Sequence, residues 1–157
     1  MIRAATPADT NALMALAAAT GMFTPDELEA LAGMLDDGLA GRLGEDHVWL
    51  VDEDDGLQGA AYYAPEVMAH DVWNLLFIGV HEAQRRRGRG EALLRHVERS
   101  LRERGARLLL VETSGLEAFE PARRFYRKNG FDEEARIREF YRAGEDKIVF
   151  RKALNEG

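Results

Sequence analysis

Leu75-Leu76-Phe77-Ile78-Gly79-Val80 is followed, four residues later, by Arg85-Arg86-Arg87-Gly88-Arg89-Gly90. The first half belongs to an apolar run over residues 73–80, whose length and continuity predict a central strand buried on both faces. The second half opens an amphipathic helix over residues 88–104, with Leu93, Leu94, Val97 and Leu101 on one stripe. Gly105 ends that helix. Leu108-Leu109-Leu110-Val111 then starts a second buried strand over residues 107–113. A strand–helix–strand unit of this kind sets its two strands parallel with a right-handed crossover. Its strand-to-helix junction also has chemical meaning. A helix start exposes unpaired N–H groups and the positive end of the dipole. Glycine lets backbone approach an anion closely, and arginine adds charge and donors. By physics alone this junction is an anion site and nothing more specific.

Working outward, residues 2–5 form a short strand. Thr6-Pro7-Ala8-Asp9 starts a helix that continues through Leu13, Leu16 and Ala17 and stops at Gly21. Thr24 and Glu27 are spaced as a capping box, ahead of a stripe of Leu28, Leu31, Leu35 and Leu39. Residues 48–51 and 57–63 form a hairpin around an acidic turn. Residues 121–128 form a short helix ended by Asn129-Gly130. Residues 131–141 and 147–152 close the chain as two strands joined at residues 143–146. The order β-α-α-β-β-β-α-β-α-β-β predicts an α/β (α+β) fold. Its central sheet is mixed and mostly antiparallel, with one parallel pair and flanking helices. One domain is expected over residues 1–157.

Composition narrows the function. Of 157 residues, 46% are apolar and 31% charged, an ordinary globular mix. Cysteine is absent, which excludes thiol nucleophiles, disulfides and thiolate metal sites. No metal site is expected. No run approaches the ~18 apolar residues of a membrane span. Residues 13–19 are apolar after Arg3, but Asp9 and Asn11 interrupt that region, so it reads as a helix and not as a signal peptide. A cytoplasmic location and no membrane partner are expected. The net charge of −7 is unevenly spread. Residues 1–83 carry 15 acidic and 2 basic side chains, whereas residues 84–157 carry 19 basic and 13 acidic. Arg95, Arg99 and Arg102 read as a solvated helix face. The 84–107 segment lacks interleaved aromatics, so no nucleic-acid partner is expected. Gly88 and Gly90 lack the third glycine of a dinucleotide fingerprint, which disfavours a Rossmann domain.

The Arg-x-x-Gly-x-Gly of residues 85–90, placed after its strand, resembles the acyl-CoA-binding motif of the GNAT superfamily of N-acetyltransferases. Ala122-Arg123-Arg124-Phe125-Tyr126-Arg127-Lys128-Asn129-Gly130-Phe131 is similar to that family's late helix, with its Tyr and closing Gly-Phe, and the element order matches too. The resemblance implies acetyl-CoA as cosubstrate, lying between splayed central strands. Backbone of Ile78, Gly79 and Val80 would hold its pantetheine arm. Arg85, Arg86, Arg87, Gly88, Arg89 and Gly90 would bind its pyrophosphate. A primary amine would attack the thioester in a ternary complex, and Tyr126 would protonate the leaving thiolate as general acid. The competing role for Tyr126 is a core aromatic, for which Phe125 is the better candidate.

Family members place a proton-accepting Glu or His at positions that correspond here to Asn74 and Leu76, neither of which accepts a proton usefully. His70, Asp71, His81 and Glu112 are the nearby alternatives. Glu112, at the end of the second central strand, is the chosen base candidate, beside water-mediated deprotonation. The acceptor is a small-molecule or protein amine. It would meet the acidic front helices, with Asp26, Glu27, Glu29, Asp36 and Asp37, under a field that favours a cation. Tyr62, Tyr63 and Trp73 line that cleft or pack in the sheet, and Phe140-Tyr141 closes over it. The resemblance also implies a homodimer. The alternative reading is a non-catalytic acyl-CoA sensor of the same fold.

Overall fold

A computed structural model describes residues 1–155. Its strands are β1 (Ile2–Ala4), β2 (Val48–Glu53), β3 (Leu57–Pro65), β4 (Val72–Val80), β5 (Leu108–Ser114), β6 (Asp132–Arg142) and β7 (Glu145–Ala153). Its helices are α1 (Thr10–Ala19), α2 (Pro25–Leu39), α3 (Arg89–Glu103) and α4 (Glu120–Lys128). The seven strands form one sheet in the order β1-β2-β3-β4-β5-β7-β6. Only β4 and β5 run parallel; every other pair is antiparallel. The fold is therefore the mixed α/β architecture expected. Among the described residues, no helix is long and apolar enough to cross a membrane.

The sheet buries both faces, as its apolar alternation dictates. On one face, Leu13 and Leu16 of α1 and Leu31 and Leu35 of α2 pack against Val51, Tyr62 and Phe77. On the other, Leu93, Leu94, Val97 and Leu101 of α3 pack with Tyr126 against Tyr63, Leu75, Leu109 and Phe150. Each such buried side chain contributes about 1.5–3 kcal/mol of transfer free energy. Tyr62, Tyr63 and Trp73 are thus core residues.

Local signals are mostly obeyed. Thr24 and Glu27 form the capping box, with reciprocal hydrogen bonds of 3.2 and 2.8 Å. The Pro7–Asp9 segment forms a single 3-10 turn before α1, because the Asp9 carboxylate accepts the Thr6 N–H at 2.8 Å and is clamped by Arg3.

One expectation fails in an informative way. Residues 73–80 are not buried throughout: Leu76 is 41% exposed, and Ile78, Gly79 and Val80 are half-buried. Two register facts explain this. Tyr62 pairs with Phe77 and Tyr63 with Leu75, so Leu76 is an unmatched bulge residue. The β4–β5 pairing runs from Val72↔Leu108 to Leu75↔Val111 and stops there. Beyond that point β5 keeps only β7, to which it pairs as far as Ser114↔Lys147. The two parallel strands separate, and a cleft opens between them.

The closing hairpin also departs from regular pairing. Regular register is lost between Ile137 and Arg142. The Asp146 carboxylate accepts the Glu139 N–H at 2.9 Å, and Glu139 takes a left-handed φ of 55°. The bulged segment carries Phe140 onto Lys147, 4.0 Å from the ring centre, and sets Tyr141 in the cleft wall.

Candidate active site

The cleft between β4 and β5 has a volume of about 380 Å³. Its walls are Asn74, Leu75, Leu76, Phe77 and Ile78 of β4 and Val111, Glu112, Thr113 and Ser114 of β5. Ala122 and Tyr126 of α4 close one side. The α1–α2 connection with Glu27, and the hairpin residues Tyr141, Arg142 and Glu145, close the other. The structure thus brings Tyr126, Glu112 and Ile78 to one cavity. Gly79, Val80 and residues 85–90 lie outside its lining. Neither His70, Asp71 nor His81 lines it; His70 is an exposed loop residue 3.1 Å from Asp71.

Tyr126 is 7% exposed and belongs to the core cluster, whereas Phe125 only packs against that cluster. Tyr126 therefore takes the core place expected of Phe125, and it lines the cleft as well. Tyr126 touches Phe125, Phe131 and Phe150 at ring separations of 5.6, 5.8 and 5.6 Å. Its hydroxyl has no hydrogen-bond partner among the described residues. Burial raises its pKa well above the ordinary phenol value, which keeps the proton on oxygen.

Glu112 is salt-bridged to Lys147 at 2.7 Å. Asn74 Nδ2 donates to Glu66 Oε1 at 2.8 Å and, over a longer 3.4 Å, to Glu112 Oε2. One amide therefore links two carboxylates, one from the β3–β4 connection and one from β5. Asn74 itself is 8% exposed, and its Oδ1 is buried without a partner. Sequence does not single out Glu66 or Lys147, because Glu66 meets Asn74 only through the β3–β4 turn and Lys147 meets Glu112 only through the β5–β7 pairing.

The arginine–glycine loop is built as an anion cradle. Arg86 and Gly88 both take left-handed φ, 64° and 78°, on either side of Arg87. Alternating backbone of this kind turns successive N–H groups to one side. The first helical bond runs from Ala92 N–H to Gly88 carbonyl. The six N–H groups of residues 86–91 have no acceptor among the described residues. Gly88 is glycine for its φ, and a Cβ there would meet nothing within 4 Å. Gly90 is glycine for packing: a Cβ would stand 3.3 Å from Phe125 Cε1. At Gly79 a Cβ would collide with the Phe77 ring at 2.8 Å.

The arginines divide. The side chains of Arg85, Arg86 and Arg87 are exposed, with Arg85 Nε donating weakly to Val80 carbonyl at 3.4 Å. The Arg89 side chain turns inward to Gln84, Asp52 and Asp54 at 3.1, 3.0 and 2.6 Å. Only its N–H faces the cradle. Arg95 and Arg102, read as solvated, approach Glu98 at 3.0 and 3.9 Å, and Glu98 is 1% exposed. Lys152 completes that buried carboxylate's shell at 2.9 Å.

Of the acidic front residues, Glu27 alone lines the cleft; Asp37 pairs with Arg42 at 2.8 Å. Glu112 and Glu145 supply the other carboxylates, from the basic half of the chain. Phe140 stacks on Lys147, and Tyr141 alone of that pair reaches the cavity.

A family model described as an acetyltransferase (GNAT) domain matches residues 44–133. Among solved structures, a Desulfovibrio desulfuricans protein assigned to the GNAT acetyltransferases is 35% identical, with a TM-score of 0.92 and 98% of each chain covered. An aminoglycoside 6'-N-acetyltransferase complexed with coenzyme A is 15% identical, with a TM-score of 0.78, covering 100% of this chain and 98% of its own. A Salmonella typhimurium protein assigned as an acetyltransferase, solved with acetyl-CoA, is 19% identical, with a TM-score of 0.76, covering 100% of this chain and 95% of its own. No curated protein matches the chain.

Proposed function

The chain belongs to the GNAT family of acetyltransferases, and from that premise we propose that it transfers an acetyl group from acetyl-CoA to a primary amine, both held in one ternary complex. The observation that carries this reading is the adjacency of two vacant backbone surfaces on β4 and α3. Past Leu75, the β5-facing edge of β4 has no strand partner. Beyond the far end of the same strand, the N–H groups of residues 86–91, leading into α3, have no acceptor among the described residues. A pantetheine amide fits the first as an added strand, with Ile78, Gly79 and Val80 along it. A pyrophosphate fits the second, with the exposed arginines adding charge. Two related folds hold coenzyme A and acetyl-CoA.

Acetyl-CoA supplies an acyl group activated as a thioester. The protein's own residues then manage two protons. Glu112, in the cleft wall and oriented by Lys147 and Asn74, takes the ammonium proton directly or through one water, which frees the amine lone pair. Tyr126, in the wall of the same cleft, gives its proton to the leaving sulfur; burial keeps the phenol neutral beforehand and makes it a weaker acid than a free one. The apolar walls of Leu75, Phe77 and Val111 exclude competing water.

The test is free-thiol release from acetyl-CoA across a panel of primary amines, run beside calorimetric titration of CoA. Amine-dependent release with the acetylated amine seen by mass spectrometry is the expected result. Tight acetyl-CoA binding with no release on any amine would instead assign the chain to the sensor class.

A further inference from the structure

Arg123 is 8% exposed, on the turn of α4 that precedes Tyr126. A guanidinium keeps its charge in proteins and is buried only with partners. Its partners here divide between its two edges. Glu120 Oε2 accepts from Nε at 3.1 Å and lies 2.8 Å from Nη2, which fixes one edge to its own helix. Nη1 donates away from the helix, to the Ser114 carbonyl at 2.6 Å and the Leu116 carbonyl at 2.9 Å. Arg124 and Arg127 also approach Glu120, at 3.7 and 3.3 Å, but their side chains stay on the surface.

The two carbonyls belong to the cleft wall. Ser114 ends β5, and Leu116 follows it in the connection to α4; both line the cavity, with Ala122 and Tyr126 of α4 beside them. This end of β5 needs a tie. Its register with β4 stops at Leu75↔Val111, so residues 112–114 keep only β7 as a strand partner. The Gly115 N–H donates to the Asp146 carbonyl at 2.9 Å, which fixes the turn toward the hairpin. Arg123 fixes the same turn toward α4. An arm laid as an added strand on the free edge of β4 lies ~4.8 Å from it, and it needs a second wall at a constant distance on its far side. The end of β5 and the start of α4 form that wall, and one guanidinium joins them.

We propose that Arg123 is a positioning residue for the pantetheine arm of CoA. It acts through the wall and not by touching the ligand: by tying the end of β5 to α4 it holds the wall opposite β4 at the spacing the arm requires. This inference rests on the CoA-binding reading above and adds the residue that sets the fit. Lysine is no substitute, because a compact ammonium lacks the planar fork that holds Glu120 on one edge and two carbonyls on the other.

Calorimetry compares CoA with adenosine 3'-phosphate 5'-diphosphate, the same molecule without its pantetheine arm, so the ratio of the two affinities reads the arm alone. In the wild-type protein CoA is expected to bind tighter by about tenfold or more. In Arg123→Lys that advantage falls toward one, while the nucleotide alone binds within about threefold of wild type. Glu120→Gln, a milder change at a half-buried site, frees the other edge of the guanidinium and lowers the advantage in the same direction. Leu31→Ala, in the core on the opposite face of the sheet, loosens the fold without touching this wall and keeps the advantage. Urea unfolding of each variant shows that it is folded. An undiminished advantage in Arg123→Lys and Glu120→Gln would overturn the positioning role and leave the CoA reading standing. No advantage of CoA over the nucleotide in the wild-type protein would sink both. An equal loss in Leu31→Ala would reduce Arg123 to a stabiliser of the fold.

Discussion

Replacing Tyr126 by Phe removes one oxygen and leaves the ring. The structure allows the two consequences to be separated. The hydroxyl makes no hydrogen bond within the described protein, so its loss leaves no buried partner bare, the usual source of a 1–3 kcal/mol penalty. The three ring contacts near 5.6–5.8 Å are kept. Stability is therefore expected to change by less than about 0.5–1 kcal/mol in urea unfolding, against about 3–5 kcal/mol for Tyr126→Ala, which empties the site. Chemistry responds differently. A general acid contributes about 10²–10⁴ in rate, so kcat with a saturating amine is expected to fall by at least about a hundredfold. Calorimetric affinity for CoA should move by less than about threefold, because the pyrophosphate and pantetheine surfaces are untouched. Thiol release, urea unfolding and CoA titration on the same preparation decide the matter. A kcat within about threefold of wild type would remove Tyr126 from the mechanism. A large loss of stability would show that the hydroxyl is bonded inside the core.

Three further outcomes follow from the same geometry. Gly90→Asp places a Cβ 3.3 Å from Phe125 and a negative charge among the unpaired N–H groups; CoA affinity should fall at least about a hundredfold in a folded protein, and unchanged affinity by calorimetry would refute the cradle. Arg89→Met strips Asp52, which is 4% exposed, of its main partner; a loss of about 1–3 kcal/mol is expected by urea unfolding, whereas intact stability with weakened CoA binding would mean the side chain serves the ligand. Alkaline titration should destabilise the fold. Tyr126 and Tyr141 hold folded pKa values above the ~10 of the unfolded chain, so the unfolded state sheds protons first, and stability falls as pH rises past ~10. The melting temperature of a variant with both as Phe should fall less over that range, and a parallel decline would contradict the assignment.

The central strand–helix–strand unit was legible because its signals are local: a run of Leu, Ile and Val, a glycine pair and a 3.6-residue stripe. What sequence could not show depends on distant partners. Leu76 looks like any other residue of an apolar run. It becomes the bulge only because β3 pairs Tyr62 with Phe77 and Tyr63 with Leu75. Glu145 sits in the segment that reads as the joint between two strands, yet it is 7% exposed, lies in the cleft wall and pairs with Arg142 at 3.2 Å. Arg89 belonged to a phosphate motif by spacing, yet Asp52 and Asp54, more than 30 positions away, claim its side chain. The division into an acidic acceptor half and a basic donor half fails for the same reason. Acidic residues of the first half neutralise the cradle's own helix, while two of the three cleft carboxylates come from the second.

Tyr126 shows most clearly why pattern alone posed the wrong choice. By pattern, core aromatic and proton donor are rival roles for Tyr126, and Phe125 is the better core candidate. In the fold the proposed donor role would depend on the core one. A phenol at the protein surface titrates near ~10, and its rotamer is free. Tyr126 is fixed by three aromatic neighbours, and the desolvation that comes with them keeps it a neutral phenol while weakening it as an acid. Those neighbours hold the ring at the cleft wall. Loosening the packing without touching the hydroxyl should therefore slow the reaction. Phe131→Leu or Phe150→Leu would lower kcat through Tyr126 while leaving CoA affinity in place. Wild-type kcat in such a variant, with its core measurably weakened, would separate the two roles again.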